Sequence, residues 1–272
     1  MNLIKVLTAV LFVGSLYLMY FLYNGIDSVI EERADIERKE NMLKERLALI
    51  REAEIIFQEQ IGRYTANWDS LSDFIENGKV PIIQITEKIE QQAYGVEKVT
   101  QIRDTLGFIP AKEKIFKRQF TMTAPDDGIF EGFNVKEGDR VIKAQKAFAY
   151  RMNGSDEVSS PKCIENGIIS QLADVKPDDK VSKGQILINF WDYKFNPNID
   201  VKKIGEVPYE SGLMLNIFAG KVDKSGLKVD VIEVVDPKPV DKSRKESNEN
   251  KTKRPLRFGS RLDAATTGNW ED

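Results

Sequence analysis

The chain has 272 residues, and its 40 Lys and Arg against 43 Asp and Glu give a formal net charge of −3. This balance excludes a chain-wide basic surface for nucleic acid. The absence of histidine excludes His-based triads and His metal sites. The single cysteine, Cys163, excludes an intrachain disulfide and a Cys-cluster metal site. Composition therefore disfavours an enzyme, and we expect no cofactor, no metal and no small-molecule substrate.

The amino-terminal segment contains eighteen uncharged residues from Val6 to Tyr23. As a helix they would extend roughly 27 Å, close to the ~30 Å core of a bilayer. The stretch predicts a transmembrane anchor at 1–24 that contacts membrane lipid through residues 3–23, with a cleaved signal peptide as the alternative. Lys5 before the stretch places the amino terminus in the cytoplasm. We expect a single-pass protein of the bacterial inner membrane whose bulk is periplasmic.

Residues 25–66 predict a helical stalk. Apolar or aromatic residues recur every seven positions at Val29, Ile36, Leu43, Ile50, Phe57 and Tyr64. This is the period of a coiled-coil seam, although the second seam is poor near the start. The pattern predicts loose packing at first and firmer packing further along the helix. A homo-oligomer through the stalk is a possible partner arrangement.

Residues 67–118 predict short helices and a connector. Asn67 or Asp69 would cap a helix that Gly78 and Pro81 end. Apolar residues in 82–106 predict a second amphipathic helix broken at Gly95. The apolar start, the long helix and the following aromatic, Trp-x-x-Leu and Gly-x-x-Pro residues resemble type IV pilins and pseudopilins. The glycine cleavage site and early glutamate of that family are missing.

An internal repeat is the strongest signal in the sequence. The stretch from Val135 to Gln145 recurs forty residues later from Val175 to Gln185, with six of eleven positions identical. Repeats of this kind indicate duplicated supersecondary units. In each copy a tight turn contains an Asp that can bond to its own local backbone. Asn153-Gly154 between the copies predicts a two-residue type I′ hairpin.

Two such halves around a central hairpin resemble the biotinyl/lipoyl domain, over roughly residues 119–192. The resemblance implies a barrel of two quasi-equivalent sheets. In biotin carriers the hairpin reads Ala-Met-Lys-Met. Here Met152 matches the first Met, and Asn153 occupies the position of the modified lysine. The resemblance therefore implies no prosthetic group, because asparagine lacks the amine that forms the link.

Lysine-less lipoyl-like domains joined to helices resemble the membrane fusion, or periplasmic adaptor, proteins of bacterial export systems. That family implies protein–protein assembly with other membrane or envelope proteins. Its members usually insert a helical hairpin between the lipoyl halves, whereas here the helices come first. The overall layout, with a terminal Gly268-Asn-Trp-Glu, also resembles envelope proteins of Bacteroidota.

The carboxy-terminal third predicts a small β subdomain at 193–235 and a disordered tail at 236–272. Pro237 to Arg257 contains eight Lys or Arg, three acids and no aromatic residue, which is typical of disorder. Two aromatic residues in the last stretch, Phe258 and Trp270, predict a peptide that binds a partner groove. Pro208-Tyr209 is a possible loop anchor.

Together these features predict an α+β protein with a transmembrane helix, a stalk, a lipoyl-like β domain and a disordered tail. The acid pairs Asp126-Asp127 and Asp178-Asp179 lie at turns, where backbone capping accounts for them, and Glu31-Glu32 lies on the stalk. Opposed acid–base pairs are therefore not indicated. The predicted function is a non-catalytic, membrane-anchored scaffold or adaptor of a secretion, transport or envelope complex, with a pilin- or pseudopilin-like subunit of a secretion apparatus as the alternative.

Overall fold

The computed structural model describes residues 3–91, 97–154 and 157–271. The chain forms two compact units, the first containing residues 1–68 and 203–272 and the second residues 69–202. The first unit is therefore discontinuous in sequence. In the sequence, one of its two segments precedes the second unit and the other follows it.

The first unit begins with one continuous helix, α1 (Leu3–Ile61). Within the described residues, no helix combines the length and apolar character needed to cross a membrane. The predicted transmembrane anchor at 1–24 is therefore wrong, as is the single-pass inner-membrane location derived from it. Helix α1 continues without a break from this uncharged run into the charged residues of the stalk.

The later part of α1 packs within its own unit. Val29 is 46% exposed, whereas residues from Leu43 onward are buried: Leu43, Leu47, Leu49, Ile50, Ala53, Ile56 and Phe57. Spacings of three, four and seven place most of these side chains on one face of the helix. The predicted change from loose to firm packing is confirmed. The homo-oligomer through the stalk stays a prediction.

Three antiparallel strands complete the first unit in the order β11-β12-β13. Their bounds are β11 (Asn216–Lys224), β12 (Leu227–Val235) and β13 (Arg257–Gly259). α1 contacts β13, and Val231, Val234 and Phe258 are buried within the unit. The predicted β subdomain at 193–235 thus supplies two strands, and the third comes from the segment predicted to be a tail.

The prediction of a disordered tail at 236–272 is wrong over the described residues, which extend to 271. A 3-10 turn (Lys251–Lys253) and β13 lie in this segment. Leu256 and Phe258 are 1% and 0% exposed. Arg244 forms a bidentate pair with Glu40 of α1, at 2.5 and 2.9 Å. The composition of this segment did not predict that it is ordered, because its apolar and acidic partners are distant in the sequence.

The second unit contains most of α2 (Trp68–Asn77) and all of α3 (Ala111–Phe116). The short helix predicted here is confirmed as α2, whose Leu71 and Ile75 are fully buried. The Ser72 hydroxyl donates to the Val201 carbonyl, 2.9 Å away. Val201 begins a 3-10 turn (Val201–Lys203).

Between these helices lies a long hairpin of β1 (Lys79–Gln91) and β2 (Glu97–Pro110). The two strands pair antiparallel from Lys79 opposite Pro110 to Gln91 opposite Glu97. The amphipathic helix predicted over 82–106 is therefore wrong, and its proposed break at Gly95 lies outside the described residues. Isoleucine, valine and threonine are frequent in both strands, and these β-branched residues favour the extended backbone.

Eight further strands form two four-stranded antiparallel sheets, with orders β3-β10-β8-β5 and β7-β6-β4-β9. Their bounds are β3 (Lys117–Thr123), β4 (Gly128–Phe133), β5 (Arg140–Val141), β6 (Phe148–Met152), β7 (Val158–Ser159), β8 (Gly167–Leu172), β9 (Lys180–Val181) and β10 (Ile186–Tyr193). The two sheets are related by adding four to each strand number, counting cyclically from β3 to β10, so that β3-β10-β8-β5 becomes β7-β6-β4-β9. The sequence repeat is thus an internal two-fold relation of the fold.

One apolar core fills the space that these two sheets enclose. Both halves contribute to it: Met122, Phe130, Val141, Phe148 and Tyr150 from the first, and Ile169, Val181, Leu187, Ile188 and Phe190 from the second. Burying one such side chain contributes about 1.5–3 kcal/mol. Neither half encloses this core alone, so the two must fold together.

Candidate functional site

The duplicated turns have the same hydrogen bonds in both halves of the β domain. The Lys136 N–H donates to Asp139 Oδ2 at 2.8 Å, and the Lys176 N–H donates to Asp179 Oδ2 at the same distance. Six residues further on, Gln145 and Gln185 each accept a backbone N–H at 3.0 Å, from Ile142 and Ser182. The predicted local role of the turn aspartates is confirmed.

Each turn is also tied to the residue that immediately precedes a strand of the other half. The Lys143 N–H donates to Asn166 Oδ1 at 2.8 Å, and the Lys183 N–H donates to Asp127 Oδ1 at 2.7 Å. The Lys183 ammonium bonds to Asp126 at 3.0 Å, and this hydrogen bond raises the pKa of Lys183. Asp126 and Asp127 therefore hold a turn that lies more than 50 residues away in the chain, and the predicted local backbone capping by this pair is wrong.

Cys163 occupies a position that the repeat explains. Its N–H and C=O bond to Gln145 and Ala144 at 2.8 Å, as those of Ala124 bond to Gln185 and Gly184 at 2.9 and 2.8 Å. Cys163 and Ala124 are 2% and 1% exposed. Burial raises the pKa of the Cys163 thiol, which lowers its reactivity. The interpretation of Cys163 as a small buried apolar residue is confirmed.

The hairpin that follows β6 is the position where the biotinyl/lipoyl resemblance implies a modified lysine. Asn153 is exposed there, and its N–H donates to the Asp127 carbonyl at 3.1 Å. Tyr150 pairs with Ser159 and Arg151 with Val158, so the connection is longer than two residues. The type I′ prediction is wrong, because Asn153 lacks the positive φ that this turn requires.

Exposed apolar side chains flank this hairpin. Met152 and Val158 are 42% and 55% exposed, although the core of the domain is filled without them. The Lys183 N–H and the Asn153 N–H both donate to Asp127, the first to its side chain and the second to its carbonyl. Sequence reasoning missed this neighbour because the contact joins residues more than 50 positions apart.

The two residues predicted to bind a partner groove lie in the fold of the first unit. Phe258 is 0% exposed and pairs with Val234 of β12. Trp270 is half-buried, and its ring lies over Gly268, where an added Cβ would be 2.6 Å from ring atoms. The terminal aromatic residues therefore contact their own chain, and Phe258 is not available at the surface.

An open cleft of about 860 Å³ adjoins the terminal segment. Arg257 lies in it, pairing with Glu246 and, at 3.6 Å, with Glu233. Arg261 also pairs with Glu233, at 2.7 Å, and lies over the Phe218 ring. Because the arginines and glutamates pair with one another, these charges stabilise the segment and do not present an excess of one sign to a ligand.

Tyr209 is tied to the residue after β12 by a side-chain hydrogen bond, whereas the sequence favours a plain packing role for Pro208-Tyr209 over a loop anchor. Its hydroxyl donates to Asp236 Oδ2 at 3.4 Å, and the Lys238 N–H donates to Oδ1 at 3.0 Å. Burial raises the pKa of both Tyr209 and Asp236. Sequence reasoning missed Asp236, which is 3% exposed, because its burial depends on distant residues.

Across the described ranges, no three or more His, Cys, Asp or Glu side chains are grouped so that they could hold a metal ion. No protein-family model matches the sequence, and no curated protein matches it. The site with the clearest geometry is therefore the exposed hairpin of the duplicated β domain. What it does must be argued from its own residues.

Proposed function

We propose that this chain is a non-catalytic scaffold or adaptor subunit of a secretion, transport or envelope complex, and that its duplicated β domain mediates protein–protein assembly. The observation that carries the proposal is the two-sheet domain with Asn153 at its exposed hairpin. The domain resembles the biotinyl/lipoyl domain but has asparagine where a carrier has its acceptor lysine. An amide side chain cannot form the link that a swinging-arm carrier needs.

The surface of the domain supports a role in assembly. Met152 and Val158 are exposed beside the hairpin, and the fold does not use them in its core. Exposed apolar side chains at a projecting hairpin gain free energy when a partner covers them. The turns on either side are held by matched hydrogen bonds, so the hairpin is presented on a rigid frame.

Affinity purification of the tagged full-length chain tests this proposal. The variant Met152→Asp/Val158→Asp places two charges beside the hairpin, and the control Leu262→Asp alters a side chain that is 74% exposed in the other unit. We expect a stoichiometric partner with wild type and with the control, and its loss with the hairpin variant. Wild type without a partner, or an intact mass that shows a covalent adduct, would contradict the proposal.

A pilin-like subunit is a second candidate, favoured by the architecture of the first unit. A long amino-terminal helix packs its later part against a three-stranded antiparallel sheet, while Leu11, Phe12 and Val13 are more than 60% exposed. This role predicts a proteolytically shortened amino terminus, which the same intact-mass measurement reads. A full-length mass would eliminate this candidate.

A further inference from the structure

Glu54 is a buried carboxyl group in the last two turns of α1. Its side chain is 0% exposed. Oε2 accepts a hydrogen bond from the Thr65 N–H at 3.0 Å, whereas Oε1 is buried and has no partner among the described residues. A buried polar atom without a partner costs about 1–3 kcal/mol, and more when it is charged. The fold therefore tolerates this group best in its neutral form.

The groups that surround Glu54 do not compensate a negative charge. Tyr64 follows the helix. Its pKa is raised chiefly by burial, and further by the negative charges of Glu54, Asp230 of β12 and Glu59 of α1. Burial raises the pKa of Glu54 itself to about 8, and the Thr65 N–H opposes this change. An ionised Glu54 would thus hold its charge in a buried site with one hydrogen-bond donor, close enough to Tyr64 to raise the pKa of that phenol. Exposure of the carboxylate to water would remove this cost.

Glu54 fastens the segment that leads from α1 to α2. The helix ends at Gly62, whose φ of +79° turns the chain and whose N–H donates to the Gln58 carbonyl at 2.8 Å. The Thr65 N–H then reaches Glu54, and Thr65 Oγ1 accepts from the Asn67 N–H at 3.1 Å. α2 begins at the next residue. One carboxyl group therefore anchors residues 62–67.

We propose that Glu54 is a protonation-dependent latch, which holds residues 62–67 on the end of α1 as a neutral acid and releases them when it loses its proton to solvent. Ionisation leaves a charge in a buried site with one hydrogen-bond donor. Swinging the carboxylate into water removes this cost but breaks the bond to Thr65. The free segment then begins at Gly62, whose backbone is the least restricted. This inference is independent of the proposed function.

Hydrogen exchange on the full-length protein at about pH 6.5 and pH 9, corrected for intrinsic rates, tests the latch. With Glu54→Gln, a permanently neutral side chain keeps the bond to Thr65. With Glu45→Gln, an exposed carboxylate on the same helix is removed. We expect wild type and the control to lose about thirtyfold of their protection in residues 62–67 at the higher pH, since protection falls about tenfold per pH unit from pH 6.5 to the pKa of about 8. Glu54→Gln should keep its protection.

Equal loss of protection in wild type and Glu54→Gln would overturn the latch, as would no loss in wild type. If Glu54→Gln does not fold, a carbon-13 NMR titration of the glutamate carboxyl carbons decides the question on wild type. A carboxyl that titrates near pH 8, together with shifts at Thr65, supports the proposal. Titration of every glutamate near its usual value contradicts it.

Discussion

Asn269 holds the end of the chain in the first unit. Its side-chain Nδ2 donates to the carbonyls of Lys251 and Pro255 at 3.0 Å, and Oδ1 accepts the Arg257 N–H at 3.1 Å. Its own N–H donates to the Arg257 carbonyl at 2.9 Å. The terminal segment therefore covers the outer edge of β13. Asn269→Ala removes these three side-chain bonds, together with a longer one from Nδ2 to the Arg254 carbonyl at 3.5 Å, and leaves the backbone contact in place.

The expected loss of stability follows from these bonds. A hydrogen bond between protein groups contributes about 1 kcal/mol net, so three give about 3 kcal/mol. The freed Arg257 N–H lies at a partly buried position, and the freedom regained by the terminus offsets part of the loss. We expect Asn269→Ala to lower the free energy of unfolding of the first unit by about 2–3 kcal/mol. With a typical urea dependence, the midpoint falls by about 1 M.

Urea unfolding followed by circular dichroism at 222 nm measures this loss, because the 59-residue helix α1 belongs to the first unit. Asn198→Ala is the matched control, since this asparagine is exposed and lies in the other unit. A change of less than about 0.5 kcal/mol for Asn269→Ala, within the range of ordinary surface substitutions, would refute the reasoning. That result would indicate that the terminal segment is disordered, as its composition predicted.

Four further substitutions test other parts of the structure. Because the pKa of Glu54 is raised, the folded state keeps a proton that the unfolded state releases, so stability falls as pH rises from about 4.5 towards 8. The slope is about 1.4 kcal/mol per pH unit and flattens near either pKa. In urea titrations, wild type should therefore lose about 3 kcal/mol relative to Glu54→Gln between pH 5 and pH 8. Ala144 has φ +67°, and the equivalent Gly184 has φ +80°. Ala144→Gly should therefore raise stability by about 1 kcal/mol and Gly184→Ala should lower it by about 1 kcal/mol, with thermal midpoints that shift in opposite directions. Midpoint shifts of the same sign would contradict this. Cys163→Ala should change stability by no more than about 1 kcal/mol in the same melts, since alanine occupies the equivalent position 124, and a larger loss would indicate a role specific to the thiol.

The duplicated turns could be predicted because their hydrogen bonds close within a few residues. Asp139 and Asp179 bond three residues back, and Gln145 reaches three residues back to Ile142. The same residue types at the same spacing therefore give the same turn wherever they occur. Periodicity likewise predicted which part of α1 is firmly packed, since burial begins at Leu43.

Predictions failed where the outcome depends on residues far away in the chain. Residues 82–106 have apolar spacings that fit a helix, but pairing between β1 and β2 selects the extended form. The hairpin site was only partly predictable, because the sequence located Asn153 but could not show that Lys183 lies beside the same Asp127.

The sequence by itself determined the repeat, the turn chemistry and the missing lysine, because each is a property of neighbouring residues. Tertiary structure alone decided the order of the last 36 described residues, where Glu40 is paired with Arg244 across about 200 positions. It also decided the burial of Glu54, which the sequence places on a helix rich in exposed charges. Local composition records which charges and apolar groups a segment carries. Only the fold decides which of them are removed from water.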